Sequence, residues 1–78
     1  MSSEKKKSKK KLRELRKRKI MVDAAIKLFR EKGFENTTMD NIANEALFSK
    51  TTIYNYYNRK EDFYLEVSIR AYQKLTQM

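Results

Sequence analysis

The sequence predicts an all-α fold, a bundle of about four helices. Three observations carry this reading. The 78 residues contain no proline and one glycine, which favours helices over a turn-rich β architecture. Apolar residues recur at helical spacing through most of residues 20–72. Capping residues recur where one such run gives way to the next, at Thr37 and Thr38, at Ser49 and at Asn58.

The opening stretch "MSSEKKKSKKK" has almost no apolar residue and reads as disordered when free. A first helix is expected to begin between Leu12 and Arg18. Met21, Ala24, Ala25, Leu28 and Phe29 then follow the i, i+3, i+4, i+7, i+8 pattern of one buried face. Val22, Ile26 and Leu15 widen that face. Gly33 stops the helix, and Phe34 is placed to fold back on Phe29.

The second helix is "NTTMDNIANEAL", with Met39, Ile42, Ala43 and Ala46 inward. Either Thr37 or Thr38 caps it, and Thr37 with Asp40 resembles a capping box. It is too short to be stable alone, so packing must hold it. After a break at "LFS", Ser49 caps a third helix running from Lys50 to Tyr57. Asn58 with Glu61 three residues later marks a fourth, which continues to the end of the sequence.

The fourth helix is apolar nearly all round. Leu65, Ser68, Ile69, Tyr72 and Thr76 share one face, while Phe63, Tyr64, Val67, Ala71 and Leu75 lie mostly on the other. Helices one to three can cover only one of these faces. The other predicts a partner surface, in a second domain or a second subunit. The helical pattern still runs at Met78, so residues 60–78 read as a helix leading toward a further domain.

Charge is confined to one end. Residues 1–19 carry eleven Lys and Arg against Glu4 and Glu14, while residues 20–78 carry eight charges of each sign. The net charge of +9 therefore belongs to the N-terminal segment. Residues 1–17 read as a basic, disordered arm, either a solvated tail or a segment that condenses on a polyanion. There is no cysteine and no histidine. That excludes disulfides and thiolate metal sites, and removes the commonest general base and metal ligand. The expectation is a protein that is not an enzyme and has no cofactor. No apolar run approaches the roughly 20 residues that span a bilayer, and no apolar stretch follows the basic start as in a secretory signal. A cytoplasmic protein without a membrane partner is expected.

Helix, short break, helix over residues 18–59, with the second helix of the pair short and polar on one side, is the helix-turn-helix plan. The second helix enters the major groove of DNA and the first braces it. On a helical wheel of "SKTTIYNYY", Ile53 and Tyr57 point together as the core side. Thr51 and Asn55 point the other way, flanked by Lys50, Tyr54 and Thr52, with Tyr56 near the edge. These are side chains of short or medium reach that hydrogen-bond base edges and phosphates. An ordinary solvated face more often carries Glu, Lys and Gln.

From Arg18 to about Val67 the chain resembles the DNA-binding domain of TetR-type transcriptional repressors. The resemblance rests on "RKIMVDAAIKLFREKGF", "TTMDNIANEA" and "SKTTIYNYYNRKEDFY" taken in order. It implies a homeodomain-like helix-turn-helix in which Thr37 or Thr38 touches a phosphate. It implies that Lys50, Thr51, Thr52, Tyr54, Asn55 and Tyr56 form the recognition surface, and that Lys60 binds backbone phosphate. It also implies a palindromic double-stranded DNA operator, and a larger C-terminal domain that forms a homodimer and binds a small-molecule inducer. Two positions depart from the family pattern. Leu47 and Thr51 both stand where glycine is common. A left-handed Leu47 would cost on the order of 1 kcal/mol. The rival reading is a small helical protein-interaction module with a basic, polyanion-binding arm.

Overall fold

The fold is that of a computed structural model, which describes the backbone of residues 2–76 and the side chains of residues 9–71. Four helices follow one another: α1 (Ser2–Lys32), α2 (Met39–Ala46), α3 (Lys50–Tyr56) and α4 (Lys60–Thr76). No strand occurs among the described residues. The all-α class and the order of the elements agree with the sequence reading. α1 packs against α2 and α4, and α2 packs against α3.

The start of α1 is a correction. The expected disordered arm over residues 1–17, with a helix beginning between Leu12 and Arg18, is instead helical from Ser2. High charge argues for disorder, but Lys, Arg, Glu and Leu are also good helix formers, and no glycine or proline interrupts them before Gly33. Helicity therefore propagates outward from the packed segment, where the costly nucleus already exists. The packed segment itself is as expected. Met21, Val22, Ala24, Ala25 and Leu28 are buried. Leu15, expected to widen that face, is exposed along with Leu12 and Ile20. α3 meets this stretch of α1 through Tyr56, at Glu14 and Arg18, and leaves these three apolar side chains largely uncovered.

Gly33 ends α1 at φ 84°, with its N–H donated to the Phe29 carbonyl at 2.9 Å. Phe34 does fold back, its ring centroid 5.2 Å from that of Phe29 and 5.4 Å from that of Tyr64. The choice between the two threonines is resolved in favour of Thr38. Its hydroxyl accepts from the Asn41 N–H at 3.0 Å, and the Asn41 side chain accepts from the Thr38 N–H at 3.1 Å, closing a reciprocal capping box. The anticipated Thr37–Asp40 pairing does not form.

Leu47 is left-handed, at φ 61°, ψ 35°. Its N–H reaches the Asn44 carbonyl at 3.2 Å, and the Phe48 N–H reaches the Ala43 carbonyl at 3.0 Å. This is the Schellman pair of bonds, made without glycine. The Leu47 side chain is 91% exposed, so it loses nothing if removed. A left-handed leucine costs about 1–2 kcal/mol, against about 0.5–1 kcal/mol for the extra freedom of glycine in the unfolded chain. Leu47→Gly is therefore expected to raise stability by about 0.5–1 kcal/mol, read as a higher Tm in thermal unfolding. A lower Tm would mean that the leucine side chain contributes packing that its exposure denies.

Ser49 caps α3 as expected, accepting from the Thr52 N–H at 3.1 Å. The helix ends one residue early, with extended Tyr57 as its C-cap. The start of α4 differs in detail. The carboxylate of Asp62 accepts from the N–H groups of Asn58 and Arg59 at 3.2 and 3.3 Å, in place of an Asn58–Glu61 box. Ile42, Ala43 and Ala46 of α2, Ile53 of α3, and Tyr57 and Phe63 complete the core.

On α4, Leu65 and Ile69 are 61% and 53% exposed, and Ser68 beside them is exposed. The outward apolar face is therefore present. Phe63 faces in and Val67 packs at the core's edge, but Tyr64 and Ala71, expected inward, are exposed. The side chains of Tyr72, Leu75 and Thr76, and residues 77–78, lie outside the described residues.

Candidate nucleic-acid interface

α3 is seven residues long and one-sided. Ile53 is buried against α1 and α2 residues of the core. With Ile53 pinned, helical phase carries Thr51, Tyr54 and Asn55 to the surface, and all three are exposed. Among the described residues, none of the three makes a side-chain hydrogen bond within the protein. A tyrosine hydroxyl, a threonine hydroxyl and an amide on one face offer donors and acceptors together. The threonine methyl adds an apolar contact. This is the chemistry that reads base edges in the major groove.

The other expected contact residues are differently placed. Thr52 is half-buried, its hydroxyl 2.8 Å from that of Ser49. It serves the cap of α3. Lys50 pairs with Asp40 of α2 at 3.0 Å. Hydrogen bonding to that carboxylate, and its charge, hold the Lys50 ammonium above its ordinary pKa. Both side chains are more than half exposed, so the pair is weak and the ammonium can exchange Asp40 for a phosphate at little cost. Tyr56 donates its hydroxyl to the carboxylate of Glu14, which is the main reason its pKa is raised. The guanidinium of Arg18 lies 5.5 Å above the Tyr56 ring and 5.9 Å from that of Tyr57.

Thr37 is a correction. It is 1% exposed, with its hydroxyl at 2.8 Å from the Gly33 carbonyl and 3.3 Å from that of Leu28. Its side chain closes the α1–α2 loop and cannot touch a phosphate. Thr38 is the exposed threonine at the start of α2. Lys60 is also drawn inward. Its ammonium donates to the carbonyls of Phe34 and Glu35 at 2.8 and 3.3 Å and sits 4.5 Å over the Phe34 ring. One proton of three remains for an outside acceptor.

The surface thus gathers Thr38, Lys50, Thr51, Tyr54 and Asn55, and leaves Thr37, Thr52 and most of Lys60 to the scaffold. Glu14 and Arg18 border this surface through Tyr56 and were not anticipated. No periodicity links residues 42 apart in sequence.

A short capped helix laid against a bracing helix, with an uncommitted polar outer face, defines a helix-turn-helix domain. Residues 21–67 match the family described as bacterial regulatory proteins, tetR family; the chain belongs to this family. It is 41% identical over 44 residues to the biofilm operon icaADBC HTH-type negative transcriptional regulator IcaR of Staphylococcus epidermidis, covering 56% of this chain and 24% of that protein. It is 36% identical over 58 residues to the HTH-type transcriptional regulator YuxN of Bacillus subtilis, covering 74% and 20%. With IcaR of Staphylococcus aureus strain Newman it shares 39% over 51 residues, covering 65% and 27%. The matched region thus spans between a fifth and about a quarter of the length of these relatives. The class expected from sequence, a helix-turn-helix transcriptional regulator, agrees with the family.

Proposed function

We propose that the chain is the DNA-reading part of a transcriptional repressor, with α3 in the major groove. The observation that carries this is the outer face of α3, where Thr51, Tyr54 and Asn55 are exposed and uncommitted on a helix fixed by Ser49 and Ile53. Lys50 and Thr38 supply phosphate contacts beside that face, while the Tyr56 hydroxyl stays on Glu14. The description of IcaR as a negative regulator supports repression over activation. The exposed apolar face of α4 at Leu65 and Ile69, and the greater length of the relatives, support a following domain that forms a homodimer. A dimer would place one α3 in each half of a palindromic operator. The small-molecule inducer belongs to that same proposed domain. Among the described residues no helix is long and apolar enough to cross a membrane, consistent with work in the cytoplasm.

The test begins with a duplex that the protein selects from a randomised pool, compared with scrambled DNA. Thr51→Ala and Asn55→Ala are each expected to weaken binding to the selected duplex by about 1–3 kcal/mol, roughly five- to 150-fold. Binding to scrambled DNA should change little. Equal losses on both DNAs would overturn base reading by this face.

A further inference from the structure

We propose that the N-terminal part of α1 is a second DNA-gripping element, a basic helical prong that holds phosphates flanking the sequence read by α3. This rests on the DNA-binding reading above. The prong is one continuous helix with the packed segment, so its side chains have fixed places relative to the core. Lys10, Arg13 and Lys17 follow an i, i+3, i+7 stripe. With Lys9 and Glu14 they line one shallow depression of the surface. Glu14 on that face receives the Tyr56 hydroxyl, and Arg18 one turn further on covers the Tyr56 ring. The stripe is therefore tied to the end of α3.

Among the described residues, Lys9, Lys10, Arg13 and Lys17 enter no ion pair, whereas Lys27, Lys50 and Arg70 do. The unbalanced charge of the whole chain lies in this segment. From Lys9 to Arg18 the helix extends about 14 Å at 1.5 Å per residue. Measured along the duplex axis, that length matches the rise of roughly four phosphates per strand. Cations at this density on a rigid rod suit the duplex backbone, with Glu14–Tyr56 fixing the register between prong and recognition helix.

The probe is a mixed-sequence duplex about three helical turns long, titrated with the chain by fluorescence anisotropy over a salt series. In the variant K9Q/K10Q/R13Q/K17Q, log K against log salt is expected to flatten by roughly two to four units, at about 0.9 per lost phosphate contact. Gln keeps helix propensity. If the quadruple variant melts early, K10Q and R13Q singly should each flatten the slope by about one unit. An unchanged slope in these variants overturns the prong and leaves a solvated tail. Binding to phosphatidylglycerol vesicles that falls in these variants while the DNA slope holds would assign the stripe to a membrane surface and also overturn it. On a pool-selected duplex, trimming the flanks should weaken wild type several-fold and leave the quadruple variant unaffected. Glu14→Ala should lose part of that flank dependence although it gains positive charge; full retention overturns the register role of Glu14. Failure of sequence discrimination by α3 would appear in Thr51→Ala and Asn55→Ala, while the salt slope on mixed-sequence DNA still decides the prong.

Discussion

Replacing Phe63 by alanine is expected to remove about 3–5 kcal/mol of folding stability. Phe63 is fully buried. Its ring lies against that of Tyr57, centroids 4.0 Å apart and planes inclined by 31°. This stack joins the end of α3 to the start of α4 and closes the core formed with Met21, Ile42 and Ile53. Alanines 24, 25, 43 and 46 belong to the same core, and side chains that small cannot extend into the space a lost ring leaves. A 78-residue domain holds roughly 4–12 kcal/mol in total. The loss is therefore of the order of half the stability or more, and a substantial unfolded fraction should appear in native buffer. Urea unfolding followed by far-UV circular dichroism measures it. A loss below about 1 kcal/mol, within the range of a well-tolerated swap, would mean that Phe63 is not the keystone its burial indicates.

Thr37→Val is expected to destabilise by about 1–3 kcal/mol although the side chain keeps its shape. The threonine hydroxyl is the donor that reaches the Gly33 and Leu28 carbonyls, and valine cannot supply it. The change thus separates a buried hydrogen bond from buried volume. For a domain of this size each kilocalorie shifts Tm by about 4–8 °C, so the effect is large on a melting curve. DNA binding at a temperature where the variant is folded should be close to wild type. A variant with wild-type Tm and weakened DNA binding would instead restore Thr37 as a contact residue.

How far the sequence discloses this molecule depends on the range of the interaction concerned. Gly33 and Ser49 act on neighbours within four residues, so they mark helix ends that can be read directly, whereas adjacent threonines at 37 and 38 offer the same cap chemistry and only the fold separates them. Ile53 and Tyr57 fall inward by helical phase, which is again local. Thr51, Tyr54 and Asn55 face out for the same reason. The failures are of three kinds. Thr37 lies in a loop without periodicity, where no rule tells an inward threonine from an outward one. Lys60 turns its ammonium onto carbonyls 25 and 26 residues away, a contact that exists only once α4 is docked. The basic segment before Leu12 presents two opposed signals, charge against order and propensity for helix, and the continuous α1 shows propensity prevailing. Glu14 escaped notice altogether, because its meaning depends on Tyr56.

The corner at Leu47 has a mechanical consequence. A glycine there would leave a joint with a wide choice of angles. Leucine in the left-handed well, with the Leu47 and Phe48 amides both anchored on the last turn of α2, has almost none. α2 and α3 thus form a stiff bracket, and the short recognition helix has no pivot of its own. Any adjustment to a misaligned groove must be made by the whole bracket rocking on α1. If α3 docks in a groove as proposed, angular error is magnified at its outer face, and a duplex of unsuitable curvature meets that stiffness before any base is read.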